Sequence, residues 1–459
     1  MANKYSTQEN QVENVFTRHS IDKNIIVDDL GIEYDYNALI DLVDRWHTVF
    51  EENKLVKGDR VAVAETQTAV HIALFIAIAE YGLEYFALPI AYFQGNDPRF
   101  DHKTSGIKMV FLGEKIAQIY WWTLPKYYIK DLDTVSPKQN VVINVTGDDV
   151  ILRGQTAGTT GNPRIYSYPH SSLLHSSTVS KDLFYKSTDR VLMYTSVNHV
   201  GMITMQFMPT LLAGCRIVIH RKVVDIEMLF LIEHKNINKT IMMPPTVEAL
   251  KKDPRWETYK FDTLEEVLAG GNVLSMDFVQ ALFDKGIKQV NNVYGLTEAL
   301  PPVFFAKVTP DNIKSMYTDG APHMGVVVPG WEVKLSDDNA IKLKGIGRAV
   351  MAASELDEEG FYTAGDTAKY VNGEYIYNKR AERYGRIDGV LTNLYLVEQM
   401  LMNNFPLEYV KAFEEEEKLI IECQPLKGNT EEDITKLIKI KFWQANVRFS
   451  NREVTDRIK

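Results

Sequence analysis

The segment Gln155-Thr-Ala-Gly-Thr-Thr-Gly-Asn-Pro-Arg164 carries hydroxyls at Thr156, Thr159 and Thr160 and glycines at Gly158 and Gly161, directly behind a strand-like Val150-Ile-Leu-Arg153. Such a loop can turn backbone N–H and side-chain O–H groups onto a polyphosphate. It is not a Walker A loop, which ends in Gly-Lys-Ser/Thr; here the nearby cation is Arg164. Any single Gly/Thr cluster also reads as a plain surface turn. Its company gives it weight. Tyr294-Gly-Leu-Thr-Glu298 puts a carboxylate at the end of an expected strand, where open α/β sheets bind ligands and where a Mg2+ on ATP phosphates could be held. Phe361-Tyr-Thr-Ala-Gly-Asp366 follows, then Lys379-Arg-Ala-Glu-Arg-Tyr-Gly-Arg-Ile-Asp-Gly389 and Val397-Glu398. A lone acidic residue is usually solvated surface; four such elements in this order point to a nucleotide polyphosphate.

These loops need a rigid frame, and the sequence supplies a βαβ pattern from about residue 60. Arg60 to Glu65 reads as a strand, Val70 to Tyr81 as a helix buried almost all round, and Tyr85 to Ile90 as a strand. The alternation repeats: Arg190 to Ser196 strand, Val200 to Ala213 helix, Cys215 to His220 strand, Asp225 to His234 helix, Lys239 to Met243 strand. Leu264 to Ala269, Ser275 to Lys285 and Gln289 to Tyr294 continue as strand, helix, strand. After residue 300, short alternating runs such as Trp331 to Leu335 and Ala340 to Lys344 predict a small antiparallel β region. Leu419 to Cys423 as strand and Glu431 to Phe442 as amphipathic helix predict a separate small α+β unit. The expected fold is therefore α/β: a large N-terminal domain of βαβ subdomains plus a small β region over 1–380, then a small α+β domain over 381–459.

Composition narrows the class. The 459 residues include 51 Lys+Arg and 61 Asp+Glu, a formal charge of −10, without a basic block, which argues against wrapping nucleic acid. The two cysteines, Cys215 and Cys423, lack a CxxC or Cys/His setting, so neither a disulfide framework nor a zinc site is expected. The polar start and the absence of any ~20-residue apolar run predict a cytoplasmic protein without a membrane span. His170 and His175 are five apart, off the i, i+4 spacing of a zinc face. Tyr120-Trp-Trp122 with Tyr127-Tyr128 could stack a ligand, but reads better as a buried or subunit-contact cluster, which leaves a homodimer open. The Glu414 to Glu417 run reads as a solvated turn.

Over nearly its whole length the sequence resembles the adenylate-forming superfamily of acyl- and aryl-CoA synthetases, luciferases and peptide-synthetase adenylation domains. Val56-Lys-Gly-Asp-Arg-Val-Ala-Val63 looks like the family's early strand, Thr156 to Arg164 like its phosphate loop, and His170 like its later histidine. Asn198-His-Val-Gly201 is similar to its His-x-x-Gly segment, Ala269-Gly-Gly-Asn272 to its Gly-rich acid-pocket strand, and Gly360 to Asp366 to its ribose-binding turn. Arg380 and Glu382 match the motif where the large domain ends and the hinge begins. Departures are equally visible. Arg164 stands where Lys is usual, Ile165 replaces a frequent Gly, and Ala364 stands where Thr is usual. The last motif, normally Pro-x-Thr-x-x-Gly-Lys, reads Glu453-Val-Thr-Asp-Arg-Ile-Lys459 at the end of a shortened small domain.

The resemblance implies ATP-dependent conversion of a carboxylic acid to an acyl-adenylate with pyrophosphate release, then transfer to the CoA thiol. Thr156 to Arg164 would grip the β- and γ-phosphates, Glu298 would hold Mg2+, and Thr297 would touch the α-phosphate. Gly271, Asn292, Tyr294 and Gly295 would line the nucleotide, with Asp366 and Arg380 on the ribose. His199 would border the acid, Lys459 would bridge carboxylate and α-phosphate, Glu382 would be the hinge, and Gly389 would line the acceptor-thiol loop. Arg457 in another register, or a frayed basic terminus, is the alternative for Lys459. Amino-acid-activating relatives carry an Asp in the segment held here by Asn198-His199-Val200, so a non-amino acid is expected. The alternatives are a ligase loading a carrier-protein thiol or an amine, and a degenerate nucleotide- or acyl-binding protein.

Overall fold

The computed structural model describes residues 25–449 except 29–30, 89–92, 94–104, 118–121, 139–144, 156–164, 222–225, 381–383, 388–389, 395–396, 399–400, 402–404, 417, 426–427 and 443. Among the described residues two large sheets dominate. The first has six strands in the order Lys126–Tyr128, Ile107–Leu112, Arg60–Ala64, Glu84–Ala87, Val150–Gln155, Ile165–Pro169, all parallel except the last pair. The second begins as a parallel array: Ile25–Val27, Arg216–Ile219, Arg190–Met193, Lys239–Ile241, Glu266–Gly270, Gln289–Tyr294. It then turns antiparallel through Phe304–Val308, Ala321–Val327, Glu374–Arg380, Tyr362–Val371, Ala340–Gly345 and Trp331–Leu335. This is the expected α/β architecture with its antiparallel region.

The alternation within each strand decides which core a residue joins. Val61 and Val63 point into one cluster together with Val191, Met193, Ile217 and Ile219, so this cluster lies between the two sheets. Ala62 and Ala64 face the far side of the first sheet, and Leu192 and Val218 the far side of the second. With both faces covered, the strands read as nearly unbroken apolar runs. Helix Ala69–Tyr81 fills the layer between the sheets, and its buried residues run from Ala69 through Ile72, Leu74, Phe75 and Ile78 to Tyr81. A helix apolar on every side has no solvated face to keep. Thr68 caps its start by accepting the His71 N–H, and Gly82, at φ 73°, ends it in the left-handed conformation. Each large side chain here contributes about 1.5–3 kcal/mol by leaving water, so a charge placed at Leu74 would remove the layer that holds the sheets together.

Three local readings change. The helix from Val200 to Ala213 is interrupted: Val200–Met202 is α, Ile203–Phe207 is π, and Met208–Ala213 is α again. The strand from Arg190 stops at Met193 rather than Ser196. The acidic run is half strand: Leu407–Glu415 extends through Glu415, which Arg448 grips at 2.8 and 2.5 Å, and Glu416 turns at φ 51°. Aromatic residues of the 120–128 segment are core where described, with Trp122 on Phe93 at 4.6 Å and Tyr127 on Trp46 at 5.8 Å; Tyr120 and Trp121 lie outside the described residues. The tail forms its own three-stranded sheet with helix Glu431–Lys441, packed around a separate core that includes Leu401, Ile421, Ile434 and Ile438.

Candidate active site

The carboxyl ends of Glu266–Gly270 and Gln289–Tyr294 and the antiparallel strand Tyr362–Val371 enclose a cleft of about 590 Å3. Its lining brings together five residues selected from the sequence: Gly271, Asn292, Tyr294, Gly295 and Asp366. Ligand clefts at strand carboxyl ends arise because connecting loops converge there. Two glycines are required by geometry. Gly271 sits at φ +68°, where its Cβ would also crowd Met243, and a Cβ at Gly295 would collide with Pro301.

Asp366 is the charged centre of the cleft. It is 5% exposed, and its two oxygens each accept a phenolic hydrogen bond, from Tyr294 at 2.9 Å and from Tyr377 at 3.3 Å. A carboxylate can accept about four hydrogen bonds, so two remain for a ligand hydroxyl pair. Arg380 stands opposite Asp366 in the strand register. The lining around it includes the apolar Pro244, Pro245, Leu274, Pro322 and Met324 together with the polar Asn272, Asn292 and Glu248. That combination suits a heteroaromatic base joined to a diol.

Glu298 follows on the same loop. Tyr168 donates its hydroxyl to the Thr297 carbonyl, and the Ala349 N–H donates to the Glu298 carbonyl at 3.0 Å, so the backbone is fixed from two sides. Among the described residues no hydrogen bond or ion pair holds the Glu298 carboxylate. Burial first, and then the charge of Glu298, holds the Tyr168 phenol well above its usual range. An oriented carboxylate with open lone pairs can take a hard cation, although no group of three His, Cys, Asp or Glu among the described residues forms a metal site by itself.

His199 lies apart from this cleft, at the N-cap of Val200–Met202. The residue keeps exposed surface, and desolvation by the surrounding protein lowers its pKa from 6.5. His170 is fully buried, and burial takes its pKa down to about 4. Thr156, Gly158, Thr159, Thr160, Gly161, Arg164, Glu382, Gly389 and Lys459 lie outside the described residues. Sequence reasoning missed Tyr377. A Tyr-x-Tyr alternation was available, but a register shift between Thr367 and Ala368 sets which residue meets Asp366, and a bulge leaves no composition signal.

The fold, with its cleft at the sheet's carboxyl edge, is that of an adenylate-forming enzyme. Residues 12–348 match the AMP-binding enzyme model, and the chain belongs to that family. It is 26% identical over 341 residues to a feruloyl-CoA synthase from an Amycolatopsis species, covering 70% of this chain and 68% of that protein. It is also 26% identical over 234 residues to the indoleacetate-CoA ligase of Aromatoleum aromaticum, about half of each chain (48% and 46%). The fold matches a Mycobacterium tuberculosis fatty acyl CoA synthetase with a TM-score of 0.71 at 17% identity, over 98% of this chain and 97% of that one. Among the described residues no helix is long and apolar enough to cross a membrane.

Proposed function

We propose that the protein is an AMP-forming acid-thiol ligase that activates a carboxylic acid, aryl or acyl, as its adenylate and passes it to CoA. The observation that carries this reading is the buried Asp366 carboxylate, anchored by Tyr294 and Tyr377, in a cleft with proline and methionine walls. The aryl preference draws on the feruloyl- and indoleacetate-CoA relatives. Asp366 and Arg380 hold the ribose, Tyr294, Gly295, Gly271 and Asn292 hold the base, and Thr156, Gly158, Thr159, Thr160, Gly161 and Arg164 hold the phosphates.

Glu298 and Thr297 face the α-phosphate, and a Mg2+ on Glu298 would offset the charge of the leaving pyrophosphate. His199 borders the acid and Lys459 bridges acid and phosphate. Joining two anions in line is mainly a matter of position and charge. The large domain spans 1–380 and the mobile one 381–459, hinged at Glu382, so that Gly389 comes to line the thiol channel in the second step. The setting is cytoplasmic.

The test is pyrophosphate release from ATP with ferulate, 4-coumarate, indoleacetate and fatty acids, with and without CoA. Release with an aryl acid and a CoA thioester product is expected. ATP binding without release for any acid would leave a nucleotide-binding protein without turnover.

A further inference from the structure

Three side-chain amides lie almost wholly buried where the two large sheets meet: Gln67 (4% exposed), Asn198 (5%) and Gln206 (0%). Gln67 follows strand Arg60–Ala64 of the first sheet, yet its Nε2 donates to the Tyr194 and His220 carbonyls at 2.8 and 2.6 Å, just past two strand ends of the second sheet. Asn198 returns the exchange. It leaves the second sheet, and its Nδ2 donates to the carbonyls of Val63 at 3.2 Å and Glu65 at 3.4 Å on the first. Its Oδ1 accepts the hydroxyl of Tyr85 from that same sheet, and Tyr85 also contacts His71 Nε2 at 2.9 Å. Gln206 lies in the π segment. Its Nε2 donates to the Leu192 carbonyl at 2.9 Å and its Oε1 accepts from the Thr195 hydroxyl at 2.8 Å.

This pattern is costly to build unless orientation matters. A buried amide left unpaired loses about 1–3 kcal/mol, whereas Leu or Met would fill the same space without that hazard. The amides instead bond carbonyls in or just past strands, those of Leu192 and Val63 within their ladders and those of Tyr194, His220 and Glu65 just beyond them, and each couples one element to another in a single geometry. His199 sits between the two anchors: Asn198 precedes it, and Gln206 fixes the helix that begins one residue after it. A π segment changes the rotation of everything N-terminal to it relative to the rest of the helix, and here Gln206 locks that rotation to the strand end.

We propose that Gln67, Asn198 and Gln206 form a positioning device for His199, an amide seam that fixes the backbone carrying its ring relative to both sheets. It rests on the reading that His199 borders the acid.

The experiment uses the full chain with ferulate as probe and compares Gln206→Met and Asn198→Leu with His199→Ala and wild type. A loosened His199 should raise the KM for ferulate at least about 10-fold, while the KM for ATP stays within about twofold because the Asp366 cleft is untouched. A merely structural role would lower the folded fraction and the apparent kcat and leave both KM values unchanged; that result overturns the proposal. Tyr85→Phe keeps the ring packing and removes only the hydroxyl, so it carries the same test, with the same expected rise, if the amide variants do not fold. If His199→Ala raises the KM for ferulate and the seam variants do not, the seam fails alone. If His199→Ala leaves it unchanged, the acid-side reading of His199 fails. Should wild type not turn over ferulate, the NMR resonances of the His199 ring decide: they should shift and broaden in the seam variants as the backbone carrying the ring loosens, and unchanged resonances refute the device.

Discussion

Replacing Asp366 by Asn tests the nucleoside site with the least disturbance of shape. The carboxylate accepts from Tyr294 and Tyr377, and the two remaining acceptor positions would take the ribose hydroxyls. In the variant one oxygen still accepts a phenol, and the new NH2 can donate to the oxygen of the other, so the fold should persist. The ligand loses more. Hydrogen bonds to a charged acceptor contribute about 1.5–3 kcal/mol each and neutral ones about 0.5–1.5, and one ribose hydroxyl now faces a donor. The combined loss is about 2–3 kcal/mol, or roughly 30- to 150-fold in binding at 1.4 kcal/mol per decade. Ribose contacts exist in both ground and transition states, so the effect should fall on the KM for ATP and largely spare kcat and the KM for the acid. Tyr294→Phe and Tyr377→Phe should act in the same direction, the first more strongly because its bond is 2.9 rather than 3.3 Å. ATP–pyrophosphate exchange at varied ATP, with circular dichroism as the folding control, measures this. A folded Asp366→Asn with the KM for ATP within twofold of wild type would refute the assignment.

Glu298→Gln should lower adenylation by at least ~100-fold with the melting temperature unchanged, because the carboxylate has no partner to lose among the described residues while the loss of a metal ligand costs several kcal/mol; near wild-type pyrophosphate exchange would remove it from the chemistry. Lys459→Ala should abolish most adenylation yet spare thioester formation from a supplied acyl-adenylate; if adenylation is retained, Arg457→Ala is the variant to assay. His71 and His170 are buried with folded pKa values near 4 against 6.5 in the open chain. Their neutral forms stabilise the fold above pH 6.5, and that contribution is lost as pH falls from 6.5 toward 4, by about 2 kcal/mol for each histidine at pH 5. Urea midpoints at pH 7.5 and 5 measure it; equal midpoints would contradict the burial of both rings.

The frame was legible because its code is local. Helix Ala69–Tyr81 announces itself through unbroken apolar content between the cap Thr68 and Gly82, and strand Arg60–Ala64 through its β-branched run, so burial between layers follows from local composition. The cleft residues stood out for a different reason: Tyr294 and Asp366 each stand beside a glycine, Gly295 and Gly365, in short motifs of unusual composition. What did not show was anything set by register or by two distant segments at once. Tyr377 meets Asp366 through a bulge, and the π segment Ile203–Phe207 has the apolar periodicity of an ordinary helix until Gln206 is seen to reach Leu192. A buried Gln reads as a surface residue in sequence, because composition carries no record of which carbonyl waits for it.

The same distinction bears on substrate range. Asn198 stands where the resemblance to amino-acid-activating enzymes would expect an Asp, and its amide is spent on Val63, Glu65 and Tyr85. An Asp there would bring a carboxylate against two carbonyl oxygens in a buried seam, an uncompensated repulsion in a low-dielectric setting. His199 beside it favours its neutral form. Neither residue supplies a negative charge, so on the proposed acid-side role of His199 a substrate with an uncharged body is expected. Asn198→Asp makes the argument measurable: if the seam has no use for its donors, the variant should fold normally and gain affinity for amino acids, whereas the geometry predicts a less stable protein that activates none.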